Sequence, residues 1–236
     1  NHMVWVHQVL AAGRDATDEV IGMLCDGEQL SMNNIKAIPW PPELLRALRA
    51  IPCPYHRYFW QTRTMLEDEL ADADNKGTRA EQVMKVEASL FELYADPHLD
   101  KKPEELSQRG GSFYCEVAVQ LINALHNNLG IEMVVNTANN GAIQGLPDDA
   151  VIETNCLIDA LGAHPLAFGK LPPLMNGLTQ QVKDFERLTI DAAVYGDKQK
   201  ALLALVANPL VADVNLASAL VDEVLTINKA WLPQFS

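Results

Sequence analysis

The segment Arg109-Gly110-Gly111-Ser112-Phe113-Tyr114 sets a cation and two glycines directly ahead of a tyrosine. Glycines lack a Cβ and let a ligand approach the backbone. Val117, Ala118, Leu121, Ile122 and Leu125 follow at helical steps, so Tyr114 falls in the first turn of a helix. A phenolate there gains from the positive end of the helix dipole and from Arg109, which suits Tyr114 to act as a base. The same pattern also fits a packed core tyrosine beside a structural turn. His2, just ahead of the strand-like run Met3-Val4-Trp5-Val6, is a candidate metal ligand or a structural imidazole. Asn136, Asn139 and Asn140, beside Gly141, suit hydrogen bonds to sugar hydroxyls and equally suit a turn.

Other chemistries are excluded by motif. There is no HExxH, CxxC or GxSxG, and Cys25, Cys53, Cys115 and Cys156 are irregularly spaced. The glycines of Gly141-Ala142-Ile143-Gln144-Gly145 lack the GxGxxG spacing, so the chain alone is not expected to hold NAD in the usual way.

With 236 residues, 48% of them apolar, the chain can build one large core or two small ones. A net charge of −13 repels polyanions and argues against nucleic acid; an anionic small ligand would need a local basic pocket. No apolar run reaches the roughly 20 residues of a membrane helix, and no signal peptide opens the chain. Reduced thiols in the cytoplasm are the expectation. The start at Asn1-His2, running straight into an apolar segment, is expected to be a cut end.

The elements follow from periodicity. Residues 3–10 read as a strand with a turn at Ala12-Gly13, and Pro41-Pro42 open a helix stopped by Pro52-Cys53-Pro54. Residues 55–72 read as one helix, and Thr78-Arg79-Ala80-Glu81 caps its antiparallel partner. Residues 131–137 and 150–158 are β-rich. A helical remainder carries the stripe Leu178, Val182, Phe185, Leu188, Ala192 and Tyr195, and Asp213 caps the last helix. The expected fold is α+β, mainly helical with a small, mostly antiparallel sheet, as one domain over residues 1–236.

Four ordered motifs, Asn1-His2-Met3-Val4-Trp5, Arg109 to Tyr114, Asn136 to Ile143 and Leu146 to Glu153, resemble the family 4 glycoside hydrolases, which depend on NAD and a divalent metal. Ile51-Pro52-Cys53-Pro54-Tyr55-His56-Arg57-Tyr58 and Leu232-Pro233-Gln234-Phe235 support the match. The resemblance implies a fold like the lactate dehydrogenase carboxy-terminal domain, preceded by a Rossmann-like domain holding NAD and a metal-binding cysteine. It implies His2 as a ligand of a manganese-type ion and Tyr114 as the catalytic base. Arg109 would pair with a sugar 6-phosphate, while Asn136 and Asn139 would meet the sugar. Cys115 departs from the family's usual serine.

The implied reaction oxidises the sugar at C3 with NAD, removes the C2 proton, eliminates at C1, adds water and returns the hydride. Arg109-Gly110-Gly111 and Met3-Val4-Trp5-Val6-His7 look closer to the β-active members, which implies a 6-phospho-β-glucosidase acting on a phosphorylated disaccharide. The same resemblance implies a homo-oligomer, dimer or tetramer. The isolated chain, without the NAD-binding domain, is expected to be inactive. An α-glucosidase, α-galactosidase or galacturonidase of the same family, a non-catalytic oligomerisation module, and a lactate/malate dehydrogenase-like substrate domain are the alternatives, in that order.

Overall fold

The computed structural model describes residues 3–28, 35, 37–108 and 113–235. His2 and Arg109 lie outside the described residues. The chain packs as two compact units, Asn1–Asn127 and Asn128–Ser236, where the sequence shows no linker and reads as one domain. The boundary falls where helical periodicity gives way to β periodicity. Asn128 and Gly130 there take positive φ of 53° and 61°, turning the chain without a flexible spacer.

In the first unit β1 (Trp5–Val6) precedes a hairpin of β2 (Leu10–Ala11) and β3 (Arg14–Asp15), turned by Ala12 and Gly13 at φ 50° and 78°. Next come α1 (Thr17–Cys25), α2 (Pro42–Leu48), which begins at a proline as expected, and β4 (Ile51–Pro52). Ile21, Trp40, Leu45 and Ile51 form the core here, with Val9, Val20, Leu24 and Trp60 packed against them.

The helix read over 55–72 is interrupted. A 3-10 turn, Pro54–His56, leads into α3 (Arg57–Trp60), and α4 (Thr62–Lys76) begins only after Gln61 leaves helical geometry at φ −125°. The Gln61 Nε2 donates to Pro39 O at 3.0 Å, a tertiary bond that periodicity does not encode. The partner helix α5 (Arg79–Tyr94) has the expected capping box: Glu81 N donates to Thr78 Oγ1, and Thr78 N donates to Glu81 Oε2 at 2.7 Å. A 3-10 turn at Glu104–Gln108 and α6 (Tyr114–His126) complete the unit.

The second unit contains the expected sheet. β5 (Ile131–Ala138) and β7 (Val151–Asp159) pair antiparallel along their length, and β8 (Gly162–Pro165) adds to β7, giving the order β5-β7-β8. Ile152, Cys156 and Ile158 alternate inward along β7 while Val151, Glu153 and Asn155 face out. β6 (Ile143–Gln144) and β9 (Gly169–Lys170) form a short parallel bridge. Three helices follow: α7 (Pro173–Tyr195), α8 (Lys198–Ala207) and α9 (Val214–Ile227). Met175, Val182 and Ala192 are buried on α7, whereas Tyr195, at the end of the expected stripe, is exposed. Asp213 caps α9 through Leu216 N at 2.7 Å.

Candidate active site

The site is built outward from the pairing of β1 with β4. Trp5 faces Pro52 and Val6 faces Ile51, and the ladder extends one step further because Cys53 N donates to Val4 O at 3.1 Å. Pro52 and Pro54 bracket that step, so the chain leaves the ladder at Cys53 and turns at once into the 3-10 segment holding Tyr55 and His56.

His56 is fully buried in this turn. Its ring centroid lies 3.9 Å from that of Trp5 and 5.5 Å from that of Trp60, and its Nδ1 donates to Cys53 O at 3.2 Å. Its Nε2 and the neighbouring Trp5 Nε1 have no partner among the described residues. Burial lowers the imidazole pKa to about 4, so the ring is neutral. Arg57, also buried, donates from Nε to Ile38 O at 2.7 Å and lies 5.0 Å over the Trp40 ring.

The His56 environment makes the chain acid-labile. Below about 6.5 the unfolded chain protonates this imidazole, while the folded chain refuses the proton until about 4. Stability is thus full above the unfolded value and is lost as pH falls through that window, by roughly 3 kcal/mol in all. Urea unfolding at pH 7 and pH 4.5 should show most of this loss, and His56→Leu should flatten the profile. Equal midpoints for the unmodified chain at the two pH values would remove the effect.

Two tyrosines sit on the turn and helix that follow β4. The Tyr55 and Tyr58 rings are 6.5 Å apart, and Tyr58 Oη donates to Glu69 Oε1 at 3.0 Å. Burial, and then the Glu69 carboxylate, push the Tyr58 phenol up to about 12, which makes it a donor that keeps its proton. Tyr58 also borders a cleft of about 410 Å³ with Asp68, Glu69, Asp72, Lys76 and Arg79. Three carboxylates there oppose a phosphorylated sugar.

Tyr114 is the first residue of α6 and is 72% exposed, so its hydroxyl is open to a ligand and is not packed in a core. The adjoining Phe113 ring lies 5.3 Å from Lys102 Nζ, which also pairs with Glu116 at 3.7 Å. In the second unit Asn136 is exposed on β5, opposite Glu153 of β7. Asn139, by contrast, is wholly buried. Its Nδ2 donates to Ile143 O, Leu146 O and Pro147 O at 3.0, 3.0 and 3.3 Å, and its Oδ1 accepts from Ile143 N at 2.8 Å. Its amide is committed to the loop, which corrects the expected sugar contact at this position. The turn reading of the Asn-Gly cluster is the one realised.

Among the described residues no three His, Cys, Asp or Glu side chains gather as a metal site. The sequence names Tyr55 and His56 only within the supporting motif Ile51 to Tyr58 and gives them no role.

With this geometry in hand, comparison with known proteins defines the class. Residues 1–211 match the family 4 glycosyl hydrolase C-terminal domain, and the chain belongs to that family. Within it, a probable 6-phospho-beta-glucosidase of Bacillus subtilis is 47% identical over 236 residues, covering 100% of this chain and 53% of the relative. The 6-phospho-beta glucosidase of Thermotoga maritima, solved with manganese, NAD+ and glucose-6-phosphate, superposes with a TM-score of 0.82 at 35% identity, over 98% of this chain and 53% of that one. A maltose-6'-phosphate glucosidase of Bacillus subtilis is 25% identical over 185 residues, 78% of this chain and 40% of the relative. The chain thus spans about half the length of the curated 6-phospho-beta-glucosidase it matches. Among the described residues no helix is long and apolar enough to cross a membrane.

Proposed function

We propose that the protein carrying this chain hydrolyses 6-phosphorylated β-glucosides, with NAD and a divalent ion of the manganese type, and that this chain supplies the base. The observation that carries the β assignment is the gap between a β-named relative, 47% identical over the whole chain, and an α-named one, a phospho-alpha-glucosidase 32% identical over 118 residues, 50% of this chain. NAD, when bound, oxidises the sugar at C3 and so makes its C2 hydrogen acidic. A phenolate of this chain takes the C2 proton, the C1–O bond breaks, water adds in the reverse sense, and return of the hydride to C3 leaves net hydrolysis. His2 is proposed as one ligand of the ion and Arg109 as a partner of the 6-phosphate. Asn136, exposed on β5, is a partner for a sugar hydroxyl.

Tyr114 is proposed as the base, supported by family resemblance, by exposure and by its place at the start of α6. A base acts within hydrogen-bond reach of the carbon acid it serves, and an exposed phenol at the head of a helix is open to a bound sugar.

Assembly into a dimer or tetramer is supported by apolar side chains left exposed on α5, among them Met84, Phe91 and Tyr94. A cytoplasmic location goes with a phosphorylated substrate. The direct experiment offers the full-length protein 6-phospho-β- and 6-phospho-α-glucosides with NAD and Mn2+. Cleavage of the β-linked series is expected, and cleavage confined to the α-linked series overturns the assignment.

A further inference from the structure

The helix that carries Tyr114 starts without the usual support. Phe113 stands at the N-cap position of α6 at φ −107° and gives no side-chain hydrogen bond to the first turn. Phe113, Tyr114 and Val117 are all exposed, so little core packs around that turn. A helix start with neither a cap nor a core frays readily. Lys102, in the segment ahead of the 3-10 turn Glu104–Gln108, reaches this start twice. Its Nζ lies 5.3 Å from the centroid of the Phe113 ring and 3.7 Å from Glu116 Oε1. One contact falls on the residue before Tyr114 and the other on the same helical turn just beyond it. The helix itself does not favour a cation here, because the amino-terminal end of its dipole is positive and repels an ammonium group. What draws Lys102 to this place is the ring and the carboxylate.

We infer that Lys102 is a positioning residue: it holds Phe113 and Glu116 together, and so fixes the first turn of α6 and with it the Tyr114 hydroxyl. This role rests on Tyr114 being the base. Phe113 and Glu116 stand at i and i+3 and share one face of the turn, while Tyr114 is rotated from Phe113 by about 100°. Lys102 therefore steadies the turn and leaves the phenol open to a sugar. Each contact is of the exposed kind, worth a factor of about two to five in keeping the turn in place. The consequence for rate is larger, since a base displaced by up to an ångström loses as much as about 100-fold. An arginine retains both contacts, because its guanidinium is cationic and also lies over aromatic rings; a methionine has similar length and makes neither.

The test uses the full-length protein and three variants, Lys102→Met, Lys102→Arg and Tyr114→Phe, each assayed per mole of folded protein with substrate carrying hydrogen or deuterium at C2. Lys102→Met is expected to lower kcat about 10-fold, with KM within about twofold and with a larger C2 isotope effect, because removal of that proton has become slower. Lys102→Arg is expected to stay within about threefold of the unmodified protein. Unchanged kcat in Lys102→Met, a fall with an unaltered isotope effect, or an equal fall in Lys102→Arg overturns the positioning role. A raised KM with kcat intact also overturns it, and makes Lys102 a partner of the substrate instead. Tyr114→Phe separates these outcomes from failure of the underlying reading: if that variant keeps full turnover, the base lies elsewhere whatever Lys102 does.

Discussion

Full-length protein carrying Tyr114→Phe is expected to turn over about 10²- to 10⁴-fold more slowly, the usual contribution of a positioned base, with substrate affinity little changed. Tyr55→Phe is expected to lose a factor of ten or less. The two changes remove the same atom from tyrosines in different settings, so the comparison is internally controlled. Deuterium at C2 supplies a second readout: with the base removed, label stays on carbon and exchange with solvent stops. Tyr58 is the further control, since its phenol, pushed up to about 12 and bonded to Glu69, is held protonated. Full activity in Tyr114→Phe with collapse in Tyr55→Phe would move the role to the turn after β4 and detach the start of α6 from the chemistry.

Asn139→Asp is expected to be the most damaging single-atom change in the second unit. The amide nitrogen it removes serves three carbonyl oxygens, and the oxygen that replaces it confronts them as an acceptor. The site is fully buried, so water cannot relieve the conflict. A loss of roughly 4 kcal/mol is expected from unsatisfied acceptors and a buried charge, lowering the melting temperature by about 10 °C. Burial raises the pKa of the introduced carboxyl. The penalty is therefore largest at neutral pH and shrinks as pH falls and the group takes up a proton. Asn139→Ala should cost less, about 2 kcal/mol, because it leaves bonds unmade without adding repulsion. A melting temperature for Asn139→Asp within about 2 °C of the unmodified protein would show that the loop does not depend on this amide.

Much of the scaffold was legible because it follows from local rules. Thr78 and Glu81 form a capping box wherever that spacing starts a helix, and Asp213 caps α9 for the same reason. The alternation along β7 declares which face is buried without reference to anything else in the chain. Gln61 shows where this stops. Residues 55–72 carry an unbroken helical period, yet the chain breaks at Gln61, whose side chain reaches Pro39, 22 residues earlier.

For the site the division is sharper. The sequence by itself determined the family, through motifs whose order spans the chain. It could not determine which asparagine faces out: Asn136 and Asn139 are three residues apart, and only the fold exposes one and buries the other. Nor could it bring Trp5 to Pro52: the two are 47 positions apart in sequence, and only the antiparallel register of β1 on β4 pairs them. Proximity between distant residues is set by long-range pairing and packing, and neither leaves a periodic trace in the chain.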